Sequence, residues 1–401
     1  MVGSSLGRNT KSASGPENSG SPVINLRYRL LETAGGLLTK SRLPGSMVRR
    51  VQCCSRRAAE FDIEAKKYRS RDLEVVQNPA GGRHRYRGLC LCSRVWLCPV
   101  CASRISEFRR KELFHGWKQW QQTGGSLCLV TRTFPHHAGD RLADLLRQFR
   151  AAMRRSKSGR AAKAIASEFG IAGSVRCIET TWGPVNGWHP HSHEVFFLRD
   201  AVDLVWLRRR LYVEWARACR REGLPTPSYR HGLDVRPVGD AIRYLGKWGV
   251  DAELTKWQMK KPTGERFTPW AMLLLESEAA PSSSRFKSVY GMRWVEFAEA
   301  SKGVAQLYWS QGLKRALGVP EFNDEEAAKQ AQAEDLYLYS IEAARDRGWS
   351  DWSLILRYGL RDHALDLSEV GGRDSVRALC MQLRRRAMAD LSVRLSDRRS
   401  G

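Results

Sequence analysis

Apolar and polar positions recur with two different periods along the chain, and the changes of period mark its elements. From Ala102 to Gln121, Ile105, Phe108, Leu113, Phe114 and Trp117 recur at helical spacing among Arg104, Arg109, Arg110 and Lys111. This predicts a basic amphipathic helix that stops before Gly124-Gly125. Ser126 to Pro135 reads as a strand stopped by proline, Arg141 to Phe169 as a strongly basic helix, and Ser174 to Thr181 as a second strand. The turn residues Gly183-Pro184-Val185-Asn186-Gly187 lead directly into Trp188-His189-Pro190-His191-Ser192-His193, which continues as the apolar Glu194–Leu198 segment. An antiparallel hairpin is expected there. A helix from Leu204 to Arg221 follows, then a Pro/Gly-containing connection from Gly223 to Arg236. Nearer the C-terminal end, an acidic helix is expected over Asp324–Ala344, with two more over Trp349–Asp362 and Asp374–Leu391. Ile24 to about Ala80 is mixed and basic, and its pattern assigns no fold.

Composition narrows the class. The chain has 401 residues, enough for two or three domains, and its 67 Lys and Arg against 42 Asp and Glu give a formal charge of +25. A field of that size attracts polyanions, nucleic acid first among them. No apolar run approaches the ~18 residues of a membrane-spanning helix. Met1 to Pro22 is rich in Gly, Ser and Asn and has no hydrophobic segment, so the expectation is a cytoplasmic protein with no membrane partner.

Two clusters carry chemistry. Cys98-Pro99-Val100-Cys101 is a Cys-x-x-Cys knuckle of the kind that grips tetrahedral zinc. Cys90 and Cys92 are the expected remaining ligands, with His84 able to replace one of them, and the site would be closed and structural. Cys53 and Cys54 form a separate pair. On the histidine strand, side chains two apart share a face, so His191 and His193, and on the same pattern His189, project together toward a divalent ion. Across the predicted hairpin, Glu179 is the candidate carboxylate ligand. Further along, Asp240, Tyr244 and Lys247 fall in one stripe of a helix. That arrangement suits attack on a phosphate, with the phenol as nucleophile, the ammonium favouring the phenolate and the carboxylate as base.

In combination and order, these segments resemble the rolling-circle replication initiators of bacterial plasmids, within the wider class of HUH endonucleases. The resemblance runs from about residue 88 to about 318 and rests on CLCSRVWLCPVCASRI, LVTRTFP, GWHPHSHEVFF, DAIRYLGKW and WVEFAEASKGVAQLYWSQGLKRAL. It implies an α+β fold with a central antiparallel sheet flanked by helices, an N-terminal zinc-binding segment and a helical C-terminal region. The implied organisation is a disordered tail over 1–24, a basic N-terminal region over 25–80, the zinc segment and basic helix over 81–122, a nicking-joining domain over 123–320 and the helical region over 321–401. It further implies that His191 and His193 hold Mg2+ or Mn2+, that Tyr244 forms a 5′-phosphotyrosyl bond and leaves a 3′-hydroxyl primer, and that the partners are origin DNA, a host helicase and a polymerase. Two positions depart from the family pattern. Ser192 stands where a hydrophobic residue is usual, and Asp240 where related proteins place the glutamate thought to activate water. The competing readings are an HUH transposase and a non-catalytic zinc-containing DNA-binding regulator. Trp248, one turn after Tyr244, stands where such transposases carry a second tyrosine.

Overall fold

The computed structural model describes residues 26–62, 67–70, 72–79, 81, 83–237, 239, 266–280, 286–331, 334–343 and 348–397. In chain order these form α1 (Arg27–Leu38), α2 (Gly45–Gln52), β1 (Ala59–Asp62), β2 (Lys67–Ser70), β3 (Leu73–Gln77), β4 (Arg85–Arg87) and α3 (Pro99–Gln122). Next come β5 (Ser126–Arg132), α4 (Leu142–Ser156), α5 (Gly159–Glu168), β6 (Ile171–Gly183), β7 (Gly187–Leu198), α6 (Leu204–Arg221), α7 (Tyr229–Gly232) and β8 (Leu233–Pro237). The last group is α8 (Pro269–Glu278), α9 (Val289–Ala300), β9 (Leu307–Trp309), α10 (Leu313–Ala316), α11 (Asp324–Gln330), β10 (Leu336–Ile341), α12 (Asp351–Arg357) and α13 (Arg361–Asp397).

The alternation along β5, β6 and β7 builds a five-stranded antiparallel sheet in the order β8-β5-β7-β6-β9. Its two faces follow the side-chain period of two. Cys128, Val130, Ile178, Trp188, Phe196 and Leu198 bury one face in a core shared with Phe149 of α4 and Trp215 of α6. On the other face, Leu127, Leu129, Val175, Val195 and Phe197 pack under Leu113 of α3 and under Leu313, Leu317 and Val319. The histidines continue that second face beyond its apolar cover. The fold is thus a mixed α and β architecture in which the hairpin pairs as expected, Gly183 opposite Gly187.

Elements from the two ends of the chain build a second unit. β10 and β3 pair, with β4 beyond, in a three-stranded antiparallel sheet. Asp362 accepts from the backbone N–H groups of Tyr28 (3.3 Å) and Arg29 (2.9 Å), which caps the otherwise unsatisfied start of α1. Arg361 is buried against Glu32 and the Ser55 carbonyl. One apolar core runs through both units, from Leu26 to Ala387.

Four sequence expectations change here. The helix expected over Arg141–Phe169 is two helices, because the chain turns at Lys157-Ser158 and Gly159 takes φ +84. The connection Gly223–Arg236 contains α7 and most of β8, which pairs with β5. The acidic helix ends at Gln330, and Leu-Tyr-Leu-Tyr-Ser-Ile instead extends as β10 because β3 offers it a partner. The two last helices become α12 and a long α13 kinked where Gly371 and Gly372 leave helical geometry. No helix among the described residues is long and apolar enough to cross a membrane.

Candidate metal centres

The β6–β7 register sets the first centre. Glu179 lies directly opposite His191, Cys177 opposite His193 and Thr181 opposite His189. Glu179 Oε2 comes within 3.4 Å of His191 Nε2 and 3.7 Å of His193 Nε2. The three side chains remain partly exposed, at 31%, 14% and 18% respectively. This leaves room for a substrate beside an ion, and the group Glu179–His191–His193 can hold a metal.

Hydrogen bonds on the far ring nitrogens orient these imidazoles. His191 Nδ1 lies 3.3 Å from the His189 carbonyl, which can only accept, so the proton sits on Nδ1 and the Nε2 lone pair faces Glu179. His193 Nδ1 is 2.9 Å from the hydroxyl of Thr131, its partner across β5. Burial pushes His193 down to about 4, with Glu179 opposing, and pushes His189 down to about 3 with the help of His191 and His136. A neutral imidazole with one nitrogen hydrogen-bonded is the form that ligates a metal.

His189 stands outside that group and begins a second relay. His136 Nδ1 donates to the Asn186 carbonyl at 3.0 Å, so its Nε2 accepts from His189 Nδ1 at 2.8 Å. The His189 Nε2 lone pair is thereby left available, and the His189 ring stacks on His191. The only sequence signal for His136 was its place in the loop after β5. Asp240, Tyr244 and Lys247 lie outside the described residues.

Directly behind the histidines, on the opposite face of β7, Glu194 is fully buried. Burial alone would push its carboxyl up, but Lys157 and Arg132 hold it down at about 2. Both cations pair with it, and Ser174 Oγ donates at 2.6 Å. Lys157 starts from an exposed position and brings its ammonium inward, which fixes the end of α4 to the strand that carries the ligands.

The second centre corrects the sequence reading. Its four thiols are Cys54, Cys92, Cys98 and Cys101, all buried; Cys90 is not among them. The Cys90 backbone bridges to Ser55 and Arg57, and the neighbouring Ala58–Leu89 bridge completes a pairing that carries Cys54 alongside Cys92. His84 is likewise elsewhere, held by Ser368 Oγ at 2.7 Å and Glu369 at 3.0 Å. Sulfur separations of 3.6 Å (Cys54–Cys101 and Cys54–Cys98) and 3.7 Å (Cys92–Cys101) approach the ~3.8 Å edge of a tetrahedron with Zn–S bonds of about 2.3 Å. Backbone N–H groups of Cys92, Ser93 and Cys101 point at these sulfurs at 3.3–3.4 Å. Ser55 and Ser93, each following a cysteine of the group, take φ +54 and +56. Such strain in non-glycine residues persists only where the surroundings impose it. Hydrogen bonds from the other three sulfurs lower the Cys54 thiol well below its usual range, while burial raises Cys98 and Cys101 raises Cys92. A buried zinc ion would supply the positive charge that holds such a group of thiols as thiolates.

The chain is 28% identical over 344 residues to a protein named Protein rep from Streptomyces lividans, covering 69% of this chain and 75% of that one. It is 30% identical over 206 residues to a protein named Neomycin resistance protein from Streptomyces cyanogenus, covering 41% and 47%. No family model matches the chain, and no solved structure matches it.

Proposed function

We propose that this protein is a rolling-circle plasmid replication initiator that nicks and rejoins one strand at its origin, in the bacterial cytoplasm, on an HUH-type catalytic domain. The observation that carries this reading is the convergence of Glu179, His191 and His193 from paired strands at the centre of an antiparallel sheet. Similarity to Protein rep supports it. Glu179, His191 and His193 would hold Mg2+ or Mn2+, which supplies Lewis-acid polarisation of the scissile phosphate. The His189 carbonyl keeps His191 in the ligating tautomer, and the Thr131 hydroxyl orients the His193 ring and can accept from its Nδ1. The phenol oxygen of Tyr244 attacks phosphorus as the bond to the 3′ oxygen breaks, leaving a 5′-phosphotyrosyl enzyme and a 3′-hydroxyl. Lys247 favours the phenolate, Asp240 accepts the phenol proton, and solvent water protonates the departing 3′ oxygen. The 3′-hydroxyl primes a host polymerase behind a host helicase, and the reverse transfer rejoins the strand. The four cysteines form a structural zinc site that joins the start of α3 to the end of α2.

The test is a nicking assay on supercoiled plasmid bearing the cognate origin, with Mn2+ or EDTA. Wild type, Tyr244→Phe and His191→Ala/His193→Ala are compared for nicks and for protein bound at the 5′ end. Metal-dependent nicking with an adduct lost in Tyr244→Phe is the expected result. Nicking that survives Tyr244→Phe moves the nucleophile elsewhere, and tight binding without nicking favours a non-catalytic DNA-binding regulator.

A further inference from the structure

On the sheet face away from the metal triad, three helices meet in a basic corner. Arg155, in the last turn of α4, pairs with Glu222 at the end of α6, so these two helices finish together. At its other end α5 is tied to the start of α6, since Glu168 accepts from Trp206 Nε1 at 2.8 Å and pairs with Arg210 at 3.1 Å. With 10 residues, α5 spans about 15 Å and runs back along α6, which places its first turn beside the ends of α4 and α6. Arg154, Arg160, Lys163, Arg220 and Arg221 are all exposed there. Among the described residues the ion pairs within this group of helices are made by Arg147, Arg155, Arg210 and Arg217, and by none of those five.

Part of this charge serves the helices themselves. Arg154, Arg220 and Arg221 sit in last turns, where cations complement the helix dipole. Arg160 and Lys163 do not. They lie near the start of α5, which has no acid in its first turn and buries only Ile165. Cations at that end oppose the dipole, so they are placed at the expense of the helix and call for an anion from outside. The chemistry of the corner limits what that anion is. Among the described residues, the exposed large apolar side chains on these three helices are Val205, Trp206 and Val213 of α6; the first two lie at the start of that helix, away from the corner, which leaves Val213 alone near it. One aliphatic side chain is too little for the apolar anchor of a membrane-surface helix, and with no exposed aromatic the corner lacks the stacking platform of a single-strand groove. A duplex backbone needs only point charges at phosphate spacing.

We infer that this corner binds the phosphates of double-stranded DNA without reading sequence, holding duplex on one side of the sheet while the strand to be cut reaches the metal triad on the other. That the duplex is the flank of an origin rests on the initiator reading above.

The test uses the full chain and a fluorescent, blunt duplex of arbitrary sequence, roughly 30 base pairs long, titrated across KCl concentrations. Arg160→Gln/Lys163→Gln/Arg220→Gln is compared with Arg49→Gln/Arg50→Gln/Arg385→Gln, which removes the same charge from exposed positions elsewhere. The corner variant is expected to bind roughly tenfold or more weakly, with the slope of log K against log salt reduced by about 3, and Lys163→Gln alone by about 1. The control is expected to shift little. Equal losses in both triple variants, or none in the corner variant, overturn the inference. So does loss of binding to phosphatidylglycerol vesicles with duplex binding intact. Wild type that binds duplex through the corner yet never nicks cognate supercoiled plasmid supports this surface while removing the initiator reading.

Discussion

Replacing Cys54 separates the four-sulfur group built by the fold from the zinc site that the Cys-x-Cys spacing suggests. Cys54 is 2% exposed, and its sulfur lies 3.6 Å from two of the other three. Cys54→Ser exchanges a thiolate ligand for a weakly ligating hydroxyl with no solvent to make up the coordination. Structural zinc contributes roughly 10 kcal/mol or more in small zinc-binding peptides, and part of it is lost with any one ligand. If the three remaining sulfurs bind zinc about a thousandfold more weakly, the folded state loses about 4 kcal/mol. For a chain of this size that is roughly an 8 °C drop in melting temperature, since each kcal/mol moves Tm by about 2 °C. Cys90→Ser changes a partly exposed thiol that bonds through its backbone and is expected to leave both quantities unchanged. The assay is zinc per chain, by release into a colorimetric chelator after a competition wash, alongside a thermal melt. Wild type and Cys90→Ser should hold about one ion each, and Cys54→Ser markedly less. Full zinc and an unshifted melt in Cys54→Ser, with loss in Cys90→Ser, would refute the assignment.

Three further outcomes follow from the geometry of the sheet. Thr131→Val keeps the shape of the side chain but removes the hydroxyl beside His193 Nδ1, so Mn2+ affinity by calorimetry should fall about tenfold with an unchanged melt; unchanged affinity would show that the tautomer is set elsewhere. His136→Ala frees His189 Nδ1 from its partner, and the expected result is about a tenfold loss of nicking with Mn2+ affinity nearly retained, because His189 stands outside the ligand group. Glu194→Gln should cost about 3 kcal/mol at neutral pH in chemical denaturation. The folded carboxyl is held at about 2 against an ordinary 4.5, so that contribution is present above about 4.5 and is lost as pH falls toward 2. Wild-type and variant stabilities should therefore converge in acid, and a gap that persists at pH 2 would point to lost packing instead.

What the sequence made legible was local. The period of two in the histidine strand and the turn chemistry of Gly183–Gly187 together set the register. Counting back from those paired glycines puts Glu179 opposite His191, so the group Glu179–His191–His193 could be read without a structure, while His189, expected beside them, falls outside it. Apart from the local breaks at Gly159 and Gly371-Gly372, the features that were missed depend on pairings across long stretches of chain. Cys54 lies 38 residues from Cys92, and the backbone bridge that joins their segments leaves no mark in spacing. The Cys-x-Cys motif therefore suggested Cys90 by proximity alone. β10 reads as the tail of an acidic helix until β3 is there to accept it. Lys157 looks like one more solvated cation on a basic helix, yet its ammonium pairs with a buried glutamate directly behind the candidate metal ligands. The same difference explains how the chemistry is divided. Ligands can be supplied by one hairpin, because a strand presents side chains every second residue. Holding that hairpin rigid takes the charge buried behind it at Glu194, and joining the ends of α2 and α3 takes four sulfurs brought together from two distant segments. A substitution far from the histidines in sequence, at Lys157, should therefore disturb the candidate site more than most changes on the strand beside them.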